Sequence, residues 1–195
     1  MKPLIAIPAA GASSRMRGRD KLLEPVDGVP LLRRQTMAAV NTGHPVLVLI
    51  PPGSPRAQAL AGLNAKIAIV ENAREGMAAS LRQAVVSLHK DQPLAILLPD
   101  VPGVTTKDIA EILTAFSQAS PPQITRASDP DNRPGTPLVL PFKIARRFAT
   151  LSGDEGGRSI LADHPVSLHA FPDTRATHDL DTPEDWADWR AKHTP

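Results

Sequence analysis

Short apolar runs recur along the chain, separated by stretches whose apolar positions follow a helical period. Residues 4–7, 46–50, 66–70 and 94–98 are each nearly continuous in apolar side chains, the pattern of strands covered on both faces. Between them, Met77, Leu81, Ala84, Val85 and Leu88 fall on one helical stripe. Leu32, Ala39 and Val40 mark a helix over 30–40, and Ile109, Ile112, Leu113 and Phe116 mark another. The latter follows Thr105 and Thr106, which are placed to cap it. Strand and helix in alternation predict parallel pairing through right-handed crossovers.

The second half is less regular. Residues 124–127 and 137–140 read as short strands around a polar loop over 128–135. Residues 142–151 and 155–161 read as helices, and 166–171 as a last strand. A terminal helix spans 183–192, with Thr182 as N-cap and Pro183 at its first position. Neither an internal repeat nor a linker interrupts the pattern, so a single domain over 1–195 is expected.

Composition removes several function classes. Lys plus Arg number 22 against 20 Asp plus Glu, a net charge of only +2, which disfavours binding nucleic acid by charge. Two Trp, four Phe and no Tyr offer little surface for stacking bases. With no cysteine there is neither a thiolate ligand nor a thiol nucleophile. The 21 prolines sit largely at element boundaries. The first apolar run is too short for a signal segment, and no stretch approaches the roughly 18 apolar residues of a membrane span. A cytoplasmic protein with no membrane partner is expected.

Five segments carry candidate chemistry. The first strand runs into Ala9-Ala10-Gly11-Ala12-Ser13-Ser14-Arg15-Met16, with Lys21 downstream. Small residues let the backbone approach a ligand, exposed N–H groups can cradle phosphate, and Arg15 and Lys21 supply positive charge. The segment has neither the glycine fingerprint of dinucleotide sites nor a Walker A lysine. Asp100, in Pro99-Asp100-Val101-Pro102, ends the fourth apolar run, at the sheet edge where such folds bind ligands. Asp179 and Asp181 alternate in an extended segment, so both carboxylates can face one cation, although Asp181 and Thr182 could equally cap the last helix. Gly76 to Leu81 opens a helix, and Gly76 and Ser80 leave room for a flat base or an anion. Gly153 to Arg158 is a glycine-rich turn into a helix, open to an acceptor or to capping alone. The six histidines show no zinc spacing, and no serine sits in a hydrolase elbow.

In order, these segments resemble the MobA-like NTP transferases, closest to the branch containing molybdenum cofactor cytidylyltransferase. The resemblance spans nearly the whole chain. Lys21 lies one residue further from Met16 than the family spacing, Pro99 replaces a glycine, and Gly135-Thr136-Pro137 stands where the close family has Gly-His-Pro. The resemblance implies a three-layer αβα sandwich around a Rossmann-like, mostly parallel sheet. It implies transfer of NMP, with CTP favoured, from an NTP to a phosphorylated acceptor such as molybdopterin, with release of pyrophosphate. By position, Ala9, Ala10, Gly11, Ser13, Arg15 and Lys21 meet the triphosphate, and Gly76 and Ser80 lie near the base. Asp100 and Asp181 hold Mg²⁺, with Asp179 as a third carboxylate, and a molybdoenzyme maturation partner is implied downstream. The competing readings are a sugar-phosphate or polyol-phosphate nucleotidyltransferase and a non-catalytic nucleotide-binding module.

Overall fold

The structure is a computed structural model that describes residues 1–152 and 157–193. In chain order its elements are β1 (Leu4–Pro8), β2 (Pro25–Val26), β3 (Val29–Pro30), α1 (Leu31–Val40), β4 (Val46–Ile50), α2 (Arg56–Ala59), β5 (Lys66–Ile69) and α3 (Met77–Val86). There follow β6 (Leu94–Ile96), α4 (Thr106–Gln118), β7 (Ile124–Ser128), β8 (Pro134–Leu140), α5 (Phe142–Ala145), α6 (Arg158–Ala162), β9 (Val166–Ala170) and α7 (Pro183–His193).

One seven-stranded sheet takes the order β5-β4-β1-β6-β8-β7-β9. Every neighbouring pair is parallel except those of β8, which runs antiparallel to both β6 and β7. Alternation along the strands splits the core in two. Ile5, Ile7, Val48 and Ile50 face one side, with Leu32 of α1 and Ile109, Ile112 and Leu113 of α4. Leu4, Ala6, Leu47 and Leu49 face the other, with Ala78, Leu81 and Ala84 of α3, Phe148 and Ile160. This is the expected helix–sheet–helix layering.

A third, smaller cluster bears directly on the site. Met16 and Leu180 are fully buried and Trp186 is 1% exposed, packed with Val26 and Leu31. Burial of side chains this size contributes roughly 1.5–3 kcal/mol each. The cluster ties the loop after β1 to the segment before α7, which lie more than 160 positions apart in the chain.

Three sequence expectations need correction. β5 is an edge strand, bonded only to β4, and Ile67 and Ile69 are each 43% exposed, so its faces are not both covered. Residues 142–151 form one α-turn and then a 3₁₀ helix, Arg146–Thr150. Ala145, Phe148 and Leu151 are all buried at a spacing of three, which the three-residue period of a 3₁₀ helix stacks on one face. α6 begins at Arg158, and Gly153 to Glu155 and Gly156 of the expected acceptor turn lie outside the described residues. Among the described residues, no helix is long and apolar enough to cross a membrane.

Candidate active site

The segment leaving β1 has a single 3₁₀ turn, Ser14–Met16, flanked by Ser13 and Arg17 with φ of 51° and 52°. The left-handed region is costly for side chains other than glycine, so surrounding contacts must hold it there. Gly18 continues the bend with φ 88°, and Arg19 donates its N–H to the Met16 carbonyl oxygen at 3.1 Å.

The chain therefore returns Lys21 beneath its own loop. Lys21 Nζ donates to Asp100 Oδ2 and to Asp181 Oδ1, each at 2.6 Å. Arg15, mostly exposed, reaches Asp181 Oδ2 at 2.8 Å. Asp179 joins them: one carboxylate oxygen from each of Asp100, Asp179 and Asp181 lies within 4.8 Å of the others. The alternation of Asp179 and Asp181 about buried Leu180 thus brings both carboxylates to one side.

Capping falls to other residues. Thr182 Oγ1 accepts from the Asp185 N–H at 3.2 Å, and Asp185 Oδ2 accepts from the N–H groups of Thr182 and Asp181 at 2.8 and 3.0 Å. This reciprocal box satisfies the start of α7 and leaves the Asp181 side chain to the cluster.

Electrostatics follow from the geometry. Burial alone would lower the Lys21 pKa, but the charge of Asp100 and the hydrogen bonds to Asp100 and Asp181 outweigh it, and the ammonium is held above its ordinary value. Partial burial, with repulsion from Asp181 and Asp100, pushes the Asp179 carboxyl above its usual range. Asp100 Oδ1 is buried and has no hydrogen-bond partner. A buried carboxylate oxygen without a partner is costly. Three carboxylates that each bring a hard oxygen donor to one cluster, beside a buried carboxylate oxygen without a partner, fit the preference of Mg²⁺ or Mn²⁺, and these residues could hold such an ion.

The remaining expected residues lie on other segments as well as on the loop. Ala9 and Ala10 are buried at its root. Gly11 is exposed, and a Cβ built on it would meet nothing within 4 Å. Gly76 opens α3 with φ 80°, and Ser80 is 2% exposed within the helix's packed face. Thr136 is buried and bonded at both ends, accepting from the Leu98 N–H at 3.0 Å and donating to the Ile96 carbonyl oxygen at 3.2 Å. It stitches β8 to the end of β6, just before Asp100.

Sequence reasoning missed Arg56 and Asp20. Arg56, 3% exposed, makes a two-pronged ion pair with Asp20 and bonds the root of the loop. The only signal was an arginine after a proline-rich turn, Pro51-Pro52-Gly53-Ser54-Pro55, with nothing to say which way it pointed.

A mostly parallel sheet with a loop of small residues and a carboxylate cluster at its carboxyl edge is the build of a nucleotidyltransferase. Residues 5–168 match the model of the MobA-like NTP transferase domain, and the chain belongs to that family. It is 28% identical over 192 residues to a probable molybdenum cofactor guanylyltransferase of Nostoc sp. (strain PCC 7120), covering 96% of this chain and 90% of that one. Among solved structures, a nucleotidyl transferase from Methanothermobacter superposes with a TM-score of 0.81 at 19% identity, covering 98% and 97% of the two chains. Rv0371C of Mycobacterium tuberculosis H37Rv, solved as a complex with manganese, superposes with a TM-score of 0.78 at 22% identity, covering 96% and 97%.

Proposed function

We propose that this protein transfers the nucleotidyl group of CTP to the phosphate of a molybdopterin-class acceptor and releases pyrophosphate. An acceptor phosphate oxygen attacks the α-phosphorus in line. The bond from that phosphorus to the oxygen bridging to the β-phosphate breaks, and pyrophosphate leaves with the electron pair. The attacking phosphate is already an anion, so no protein base is needed, in keeping with the absence of a histidine from the cluster.

The chain's own work is positioning and charge compensation. The backbone around Gly11 to Ser13 cradles the triphosphate, while Lys21 and Arg15 stabilise charge on its outer phosphates. Mg²⁺ held by Asp100 and Asp181, with Asp179 as third carboxylate, would neutralise the reacting phosphates. Gly76 borders the base at the start of α3, and Ser80 supports that side from within the packed face of the helix. Residues 1–195 act as one domain, and the product passes to a molybdoenzyme maturation partner.

The observation that carries this reading is the meeting of Asp100, Asp179, Asp181 and Lys21 from three distant segments under one loop. A second reading, GTP in place of CTP, is favoured by the guanylyltransferase relative. Pyrophosphate release measured with CTP, GTP, ATP and UTP against molybdopterin, sugar-phosphate and polyol-phosphate acceptors separates the readings. Turnover with CTP and molybdopterin is the expected result. Turnover only with a sugar or polyol phosphate replaces the acceptor, and NTP binding with no pyrophosphate from any pair ends the catalytic reading.

A further inference from the structure

We infer that Arg56 is a positioning residue that sets the phosphate-binding loop and Lys21 in register for the triphosphate. The inference rests on the nucleotidyl-transfer reading above, and Arg56 acts in it without touching substrate.

Arg56 is a charge almost wholly withdrawn from water, at 3% exposure. Such a charge persists only where it is paired and its donors are used. Here all three guanidinium nitrogens donate. Nε reaches Asp20 Oδ2 at 2.7 Å and Nη2 reaches Asp20 Oδ1 at 2.8 Å, a fork-to-fork pair. Nη1 reaches the Ala9 carbonyl oxygen at 2.6 Å, and Nη2 also reaches Ser13 Oγ at 3.2 Å. Ser13 Oγ in turn donates to Asp20 Oδ1 at 3.2 Å, and Asp20 Oδ1 accepts the Leu22 N–H at 3.0 Å.

The three residues so joined are the root, the middle and the end of one loop. Ala9 closes the path out of β1, Ser13 holds a left-handed backbone, and Asp20 immediately precedes Lys21. Between them the backbone is held by one short 3₁₀ turn and by the bond from the Arg19 N–H to the Met16 carbonyl oxygen. Among the described residues, no hydrogen bond from the N–H groups of Gly11, Ala12 or Ser13 is found. A loop with unpaired donors and left-handed side-chain residues needs an external brace, or it relaxes. Arg56 is that brace, and it fixes the Lys21 backbone through Asp20 on one side and Leu22 on the other.

A lysine at this position keeps the charge but has no fork, so it cannot span Asp20, Ala9 and Ser13 at once. Arg56→Lys therefore separates geometry from charge. Arg56→Ala, assayed with and without free guanidinium, separates geometry from packing. Both are compared with wild type for MgCTP and MgGTP binding by calorimetry, and for NTP and acceptor KM by pyrophosphate release. The expected result for Arg56→Lys is a melting temperature within a few degrees of wild type. Its NTP dissociation constant and KM rise at least tenfold, while the acceptor KM stays within twofold. In Arg56→Ala, guanidinium recovers part of the NTP affinity. If Arg56→Ala fails to fold, Asp20→Asn takes its place and should show the same selective loss of NTP affinity. Unchanged NTP affinity in Arg56→Lys, or equal rises in both KM values, overturns the inference. Wild-type protein that binds NTP but releases no pyrophosphate overturns the proposed reaction instead, and the calorimetry still decides the role of Arg56. Wild-type protein that binds no NTP overturns both.

Discussion

Leu180 donates its backbone N–H to the carbonyl oxygen of Asp100 over 2.9 Å. That one bond lays the extended segment before α7 along the turn that follows β6. Because side chains alternate, it aims Leu180 into the cluster of Met16 and Trp186 and turns Asp179 and Asp181 the other way, toward Asp100. The carboxylate cluster is thus assembled by backbone register and an apolar anchor.

Asp100→Ala should abolish transfer without unfolding the protein. Asp100 contributes one carboxylate to the cluster, while its backbone carbonyl, which the substitution keeps, makes the bond to Leu180. Turnover should fall by at least ~10²–10³, the usual scale for losing one charge-stabilising group. Pyrophosphate release together with a thermal melt checks both halves, and near-normal turnover would remove Asp100 from the site.

Lys21→Met should have opposite effects on metal binding and on catalysis. The Lys21 ammonium now compensates both Asp100 and Asp181, so an incoming divalent ion has to displace it. Without it the three carboxylates retain, among the described residues, only the ion pair to Arg15, which is mostly exposed and screened. Mn²⁺ should bind on the order of tenfold tighter in the absence of nucleotide, equivalent to ~1.4 kcal/mol. In the same variant kcat/KM should fall by a few kcal/mol, about 10²-fold or more, because the triphosphate loses its lysine. Manganese titration followed by electron paramagnetic resonance reads the first effect. Weaker Mn²⁺ binding in the variant contradicts the competition.

Asp173 provides a pH-dependent check on the turn that precedes the acidic segment. Hydrogen bonds from Arg175 hold its carboxyl at about 2, below the ordinary 3.8. A depressed folded-state pKa contributes stability that is present above the unfolded value and lost as pH falls through the folded one. The contribution should therefore be intact at neutral pH and disappear between about pH 4 and 2. Asp173→Asn should melt slightly below wild type at pH 7, and the gap should close by pH 2. A gap that stays constant over that window would show that the ion pair contributes nothing measurable.

Much of this was written in local pattern. The buried strands announce themselves because β1 and β4 are apolar at every position, and the helix over 106–118 because a clean apolar stripe follows Thr105 and Thr106. The acidic site was legible as three carboxylates at strand and segment ends. What pattern could not supply was partner choice across the chain. The β2–β3 hairpin is two residues per strand, too short for any period to register. Arg56 looks like one more surface arginine until the fold brings Asp20, Ala9 and Ser13 to it. The covered faces expected of β5 failed for a related reason: an apolar run does not say whether a second layer reaches it.

Two glycines should respond differently to the same substitution. A Cβ on Gly135 would lie 2.0 Å from the Ala176 carbonyl oxygen and 2.5 Å from its carbon, both backbone atoms that cannot yield cheaply. Gly135→Ala must push the 174–176 turn away from β8, and with it the route to Asp179 and Asp181. Overpacking of this kind costs ~1–3 kcal/mol, so both the melting temperature and turnover should fall. Gly11 has open space where its Cβ would stand and no left-handed φ. Gly11→Ala should leave the melting temperature unchanged and raise the NTP KM, because the methyl group then occupies the room through which the backbone meets phosphate. Thermal melts and NTP titrations of the two variants side by side make the test. A Gly11→Ala protein with wild-type NTP affinity would take the triphosphate away from this loop.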